Sequence, residues 1–101
     1  MNDGTVGGLR DKAVALIEHA LALKAPEFGE EVDEAERAVV NLRDQLIQRL
    51  RGGESAVRAP LNTVNAALSL VVGVEYSSAG LQRKPLEQAR DALKAIQFKT
   101  K

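Results

Sequence analysis

SAVRAPLNTVNAALSLVVGVEY, residues 55–76, is the most apolar stretch of the chain. It admits two readings. The run Val71-Val72-Gly73-Val74 is β-branched and suits a strand. Against this, Val57, Leu61, Val64, Leu68, Val71 and Val72 recur at three- and four-residue steps, which lays them along one face of a helix. No other segment offers a partner strand, so the helical reading governs. Ala66, Ala67, Leu70 and Val74 fill most of the remaining circumference, and Arg58, Asn62, Asn65 and Ser69 make a single polar line. Ser55 suits an N-cap. A proline inside a helix deletes a hydrogen bond and bends the axis, so one helix with an irregularity near Pro60 is expected; the alternative is that Pro60 is the first helical residue proper and 54–59 a separate turn. Gly73 within that helix costs about 1 kcal/mol relative to alanine.

The segments on either side read as amphipathic helices that could cover this stretch. The clearest runs over residues 30–51, where Val32, Ala35, Val39, Leu42, Leu46 and Leu50 keep the helical step, with Val40 and Ile47 beside them. Six of the ten residues from Glu27 to Glu36 are acidic, and Arg43, Arg49 and Arg51 gather toward the end. That polarity complements the helix macrodipole. Asp33 and Arg37 have the spacing of an ion pair, and Gly52-Gly53 is a C-terminal stop. A first helix spans residues 9–24, with Leu9, Ala13, Leu16, Ile17, Ala20 and Leu23 in phase and Val14 and Leu21 widening the stripe; Pro26 lies just beyond its end. A fourth helix covers residues 85–97, opened by Pro85, with Leu86, Ala89, Leu93 and Ile96 as its core face and Phe98 closing one end. The expected fold is an all-α antiparallel four-helix bundle with helices at 9–24, 30–51, 55–76 and 85–97, a loose segment at 1–8, a connection at 77–84 and a tail at 99–101.

Composition agrees. One hundred and one residues suit a single domain, 1–101. Apolar residues are 45% and charged residues 28%, as in soluble globular proteins. The apolar set is rich in Ala, Leu and Val, with only Phe28, Tyr76 and Phe98 as aromatics. Lys plus Arg and Asp plus Glu number 14 each, so no net charge draws the chain to nucleic acid or anionic lipid. Residues 1–51 carry 10 acids against 7 bases and residues 52–101 carry 4 against 7, a polarity that suits packing of the halves or head-to-tail pairing. With no Cys, disulfides, thiolate metal sites and a Cys nucleophile are excluded. The N-terminus lacks signal-peptide features and the longest uncharged run is too short and polar to span a bilayer, so a cytoplasmic location is expected.

Chemistry is sparse. The one histidine, His19, has Leu16 rather than a glutamate three residues before it, so the Glu-x-x-His pattern of metal-binding bundles is missing. Glu27, Glu30, Glu31 and Glu34 share a helical face, yet that is also the usual dress of a helix N-terminus. Gly4, Gly7 and Gly8 make no phosphate loop. Ser55, Ser69, Ser77 and Ser78 have no neighbouring base to activate them. Arg43, Arg49, Arg51 and Arg58 cluster about the Gly-Gly turn without aromatics to stack on bases.

The segment Val57-Arg58-Ala59-Pro60-Leu61-Asn62-Thr63-Val64 resembles the dimerisation and phosphoacceptor helix of sensor histidine kinases, whose motif reads His-Glu-Leu-Arg-Thr-Pro-Leu-Asn. Arg58, Pro60, Leu61 and Asn62 match. Ser55 stands where the phosphoacceptor histidine falls and Ala56 where the acidic residue falls, and no ATP-binding domain is expected to follow. The resemblance covers about eight residues. It implies a proline-kinked helix and, at most, a degenerate dimerising hairpin or phosphorelay-related module without phosphotransfer.

The sequence thus leads to a non-catalytic bundle that acts by protein–protein contact, as a homodimer or with another protein. No cofactor, metal, nucleic acid, membrane or small-molecule substrate is expected. A short fourth helix covers the long third helix incompletely, so the contact surface is expected among Leu61, Asn62, Val64, Asn65, Leu68, Val71, Val72 and Val74.

Overall fold

The computed structural model describes residues 5–22, 28–75 and 83–98. Four α-helices follow one another: α1 Val6–Ala22, α2 Phe28–Arg51, α3 Arg58–Glu75 and α4 Arg83–Ala95. A 3-10 turn, Ser55–Val57, leads into α3, and no strand occurs among the described residues. This is the all-α four-helix bundle expected from the hydrophobic spacing. Each helix packs against two others, α1 against α2 and α4, and α3 against α2 and α4. The diagonal pairs, α1 with α3 and α2 with α4, nowhere bring backbones within 8 Å among the described residues. The stretch at 55–75 is therefore one corner of a square, not a central rod enclosed by the rest.

The steps along α2 explain the arrangement. Val32, Ala35, Val39, Leu42 and Leu46 alternate steps of three and four residues, and all five are fully buried. That rhythm keeps one seam of the helix facing its neighbours along its length. On α4 and just past its end, Leu86, Ala89, Leu93 and Ile96 repeat it, and Val57, Leu61, Val64, Ala67 and Val71 supply the inward side of the 3-10 turn and α3. No polar or charged residue is buried among the described residues. Wholly buried alanines sit at 13, 20, 35, 67 and 89, and an alanine at a contact lets helix axes approach closely. On α1 the expected core is rotated. Val14 and Leu21 are buried while Leu9 and Leu16 are half-buried, because α1 must serve both α2 and α4. Leu23 lies outside the described residues.

Helix ends differ from expectation in ways that local chemistry explains. α1 begins at Val6, so residues 5–8 are ordered as a helix start and are not loose. Thr5 caps it: its hydroxyl oxygen accepts the Gly8 N–H at 2.9 Å and its carbonyl accepts the Leu9 N–H at 2.9 Å. Burial of Val6 pins the first turn to the core. Pro60 neither opens α3 nor kinks it from within. It is the third residue of α3, where the missing N–H would have had no helical partner, and the 3-10 turn lies ahead of it. Pro85 occupies the same third position in α4. The Asp33–Arg37 ion pair allowed by spacing is not formed. Residues 1–4, 76–82 and 99–101, which include most of the expected 77–84 connection and the tail, lie outside the described residues.

The α2–α3 corner is built by Gly53. The Gly53 N–H donates to the Leu50 carbonyl and the Glu54 N–H to the Arg49 carbonyl, each at 3.0 Å. This is a Schellman closure, which requires a left-handed residue, and Gly53 has φ +102°. The turn reverses the chain so that α3 runs back along α2. Gly53→Ala should therefore lower the urea midpoint by an amount equivalent to about 1–2 kcal/mol. Gly52→Ala, whose added methyl would meet only ordinary contacts at 3.5 and 3.6 Å, should stay within about 0.5 kcal/mol of the parent. Equal losses at the two positions would contradict this account of the corner.

Candidate functional site

The outward face of α3 differs from that of every other helix. Among the described side chains its exposed residues are Arg58 at the start and then Ala59, Asn62, Asn65, Ala66, Ser69 and Gly73. Residues 59–74 contain no charged side chain at all. The exposed positions of α1 include Asp11, Lys12 and Glu18, those of α2 include Glu34, Arg37 and Asp44, and those of α4 include Arg83, Lys84, Glu87 and Asp91. Half-buried Leu68 and Val72 border the α3 face on one side, and Thr63 and Leu70 border it on the other. The result is a shallow, uncharged strip with small side chains along its crest and aliphatic shoulders.

The residues expected to form the contact surface separate accordingly. Asn62 and Asn65 lie on the crest and Leu68 and Val72 on a shoulder. Leu61, Val64 and Val71 point inward and are occupied by the chain's own packing at 9%, 0% and 0% exposure. The helical step carries them past the crest and into contact with α2 and α4. The side chain of Val74 lies outside the described residues. The polar line Arg58–Asn62–Asn65–Ser69 is solvent-facing throughout, and the apolar excess of α3 is smaller than expected because α2 covers it as well as α4.

Gly73 sits on this strip. Its φ is not positive, and a Cβ built there would meet nothing within 4 Å. Neither turn geometry nor a close neighbour among the described residues requires glycine, so α3 carries the full propensity cost.

Other candidates do not converge. His19 is exposed in the last turn of α1. No group of three or more His, Asp or Glu side chains able to hold a metal occurs among the described residues. Of the acidic face, Glu34 is exposed, while Glu27 and the side chains of Glu30 and Glu31 lie outside the described residues. Arg43 pairs with Asp44 at 3.1 Å and Arg49 with Glu54 at 3.6 Å, so two of the four clustered arginines are spent locally. A recess of about 220 Å³ between α1 and α2 is lined by Leu9, Lys12, Leu16, Glu34, Arg37, Ala38 and Asn41, mixed charge over half-buried leucines. Ser55, at the position matching the phosphoacceptor of the kinase motif, lies in the 3-10 turn outside α3. Among the described residues, no helix is long and apolar enough to cross a membrane. Comparison with protein-family models, with curated proteins and with solved structures returns no match.

Sequence reasoning missed Arg10. Its Nη1 donates to the carbonyls of Leu93 at 3.1 Å and Ile96 at 2.7 Å, its Nε meets Asp11 Oδ1 at 2.6 Å, and its guanidinium lies 5.6 Å from the centre of the Phe98 ring. It ties α1 to the end of α4, assisted by the longer Lys94–Glu18 pair at 3.9 Å.

The open surroundings of Gly73 give a direct test. Gly73→Ala should stabilise the fold by about 1 kcal/mol, seen as a rise in melting temperature of roughly 4–8 °C for a domain of this size. A fall would mean that the backbone there has a close neighbour.

Proposed function

We propose that the protein is a non-catalytic helical bundle that works through protein–protein contact in the cytoplasm, pairing with a second copy of itself across the outward face of α3. The observation that carries this reading is the uncharged crest, Ala59, Asn62, Asn65, Ala66, Ser69 and Gly73, on a molecule whose other outward helix faces are charged. Alanine, serine and glycine permit close approach of a second helix. Asn and Ser each both donate and accept hydrogen bonds, so the same strip on another copy satisfies them. An amide within a helix–helix seam fixes register at some cost in affinity. A partner of strong charge would find nothing to pair with between residues 59 and 74. A contact of one helix on one helix falls at the low end of specific interfaces, below about 1,200 Å² in total, and suits micromolar affinity.

Sedimentation equilibrium from about 1 to 200 µM, the range set by that affinity, should show a reversible monomer–dimer equilibrium. Ala66→Glu places a carboxylate on the crest, where the monomer tolerates it, and should abolish dimerisation with unchanged helicity. Leu68→Glu or Val72→Glu should weaken it from the shoulder. A parent that stays monomeric throughout, or an Ala66→Glu variant that still dimerises, would defeat the reading.

A phosphorelay-related module is the second reading. It is favoured by one observation, an exposed histidine, His19, on a helix of a four-helix bundle. Acid-labile phosphate at His19 after incubation with a histidine kinase would move it to first place.

A further inference from the structure

We infer that residues 96–98 form a strap, latched by the Arg10 guanidinium, that opens and closes apart from the rest of the bundle. α4 ends at Ala95. Beyond it one backbone bond remains, from the Ile96 N–H to the Leu93 carbonyl at 3.2 Å. The last carbonyls of a helix have no helical partner, and here the Leu93 and Ile96 carbonyls both accept from Arg10 Nη1, the latter across 86 positions of sequence. Phe98 closes the assembly by lying against the guanidinium. Asp11 meets Nε from the same helix, and the Arg10 side chain is only 20% exposed with the strap closed.

The strap's other attachment is apolar: Ile96 belongs to the core and Phe98 packs against it. Ile96 is buried, Gln97 is exposed and Phe98 is half-buried. Ile96 and Gln97 face the first turn of α3 across a recess of about 190 Å³ that also touches Ala59, Pro60 and Thr63. Residues 96–98 thus lack the helical ladder that holds α2, and of the three only Ile96 is buried. Segments with few buried contacts open at lower free energy than the whole domain. Lifting the strap widens that recess and uncovers Ile96 while α1 to α4 stay packed. The inference does not depend on the dimer proposed above.

Amide hydrogen exchange, followed residue by residue in the full chain, tests it. In the parent, Ile96 should exchange at least about tenfold faster than Leu42 and Leu46, as a sub-global opening requires. Arg10→Ala should speed exchange at the Ile96 amide by a further tenfold or more, as expected on losing hydrogen bonds to a charged group, and leave Leu42 and Leu46 unchanged. Arg10→Lys retains a charge near the carbonyls but loses the flat stacking and the Nε bond. It should fall between the two, and it carries the test if Arg10→Ala does not fold. Phe98→Ala should give a smaller rise confined to the same amide. Unchanged exchange at Ile96 in the Arg10 variants, or an equal rise at Leu42 and Leu46, would overturn the strap.

Discussion

The seam along α2 is the constraint on which the bundle rests. Five side chains, Val32, Ala35, Val39, Leu42 and Leu46, keep steps of three and four residues and are fully buried. Such a seam must be covered along its whole length, and two flanking helices do it, α1 on one side and α3 on the other. α4 then closes the square by packing on α1 and α3. With no buried polar group among the described residues, nothing polar inside the core fixes the pairing of helices. Direction comes from the corners and ends instead: the Gly53 closure turns α3 back along α2, and Arg10 aligns the start of α1 with the end of α4.

This division explains what was legible in the sequence. Periodicity depends on each residue's own helix, so the four helices and most of the inward faces could be read from spacing alone. Val14 and Leu21 exchanged roles with Leu9 and Leu16 because the inward direction of α1 is set by where α2 and α4 sit, which periodicity does not encode. Thr5 was passed over because a Gly-rich opening outweighed a capping residue. Its hydroxyl bond to Gly8 and the burial of Val6 reversed that balance. Arg10 was invisible for a stronger reason. Its acceptors are backbone carbonyls, which have no residue identity to read, and they lie 83 and 86 positions away.

The candidate surface was half legible. The spacing marked α3 correctly as the unusual helix, but treated its apolar and polar lines as one surface. In the bundle they part. Leu61, Val64 and Val71 belong to the interior, and what faces outward is a crest of Ala, Asn, Ser and Gly. The feature that sets this crest apart is the charge it lacks, which the sequence shows as an uncharged run at 59–74 without placing it on the outside of the bundle.

The ring of helices has a topological consequence. α1 touches α4 as well as α2, and Arg10 in the second turn of α1 bonds the carbonyl of Ile96 just past α4. The chain therefore enters and leaves its bundle at one end, the end that also holds the Gly53 corner. In such a closed cycle no connection is privileged. A short linker joining residues 98 and 5, with new ends opened between Gly52 and Gly53, would preserve every helix pairing and give up only the Schellman closure. Order along the sequence and order within the core are separable in this molecule.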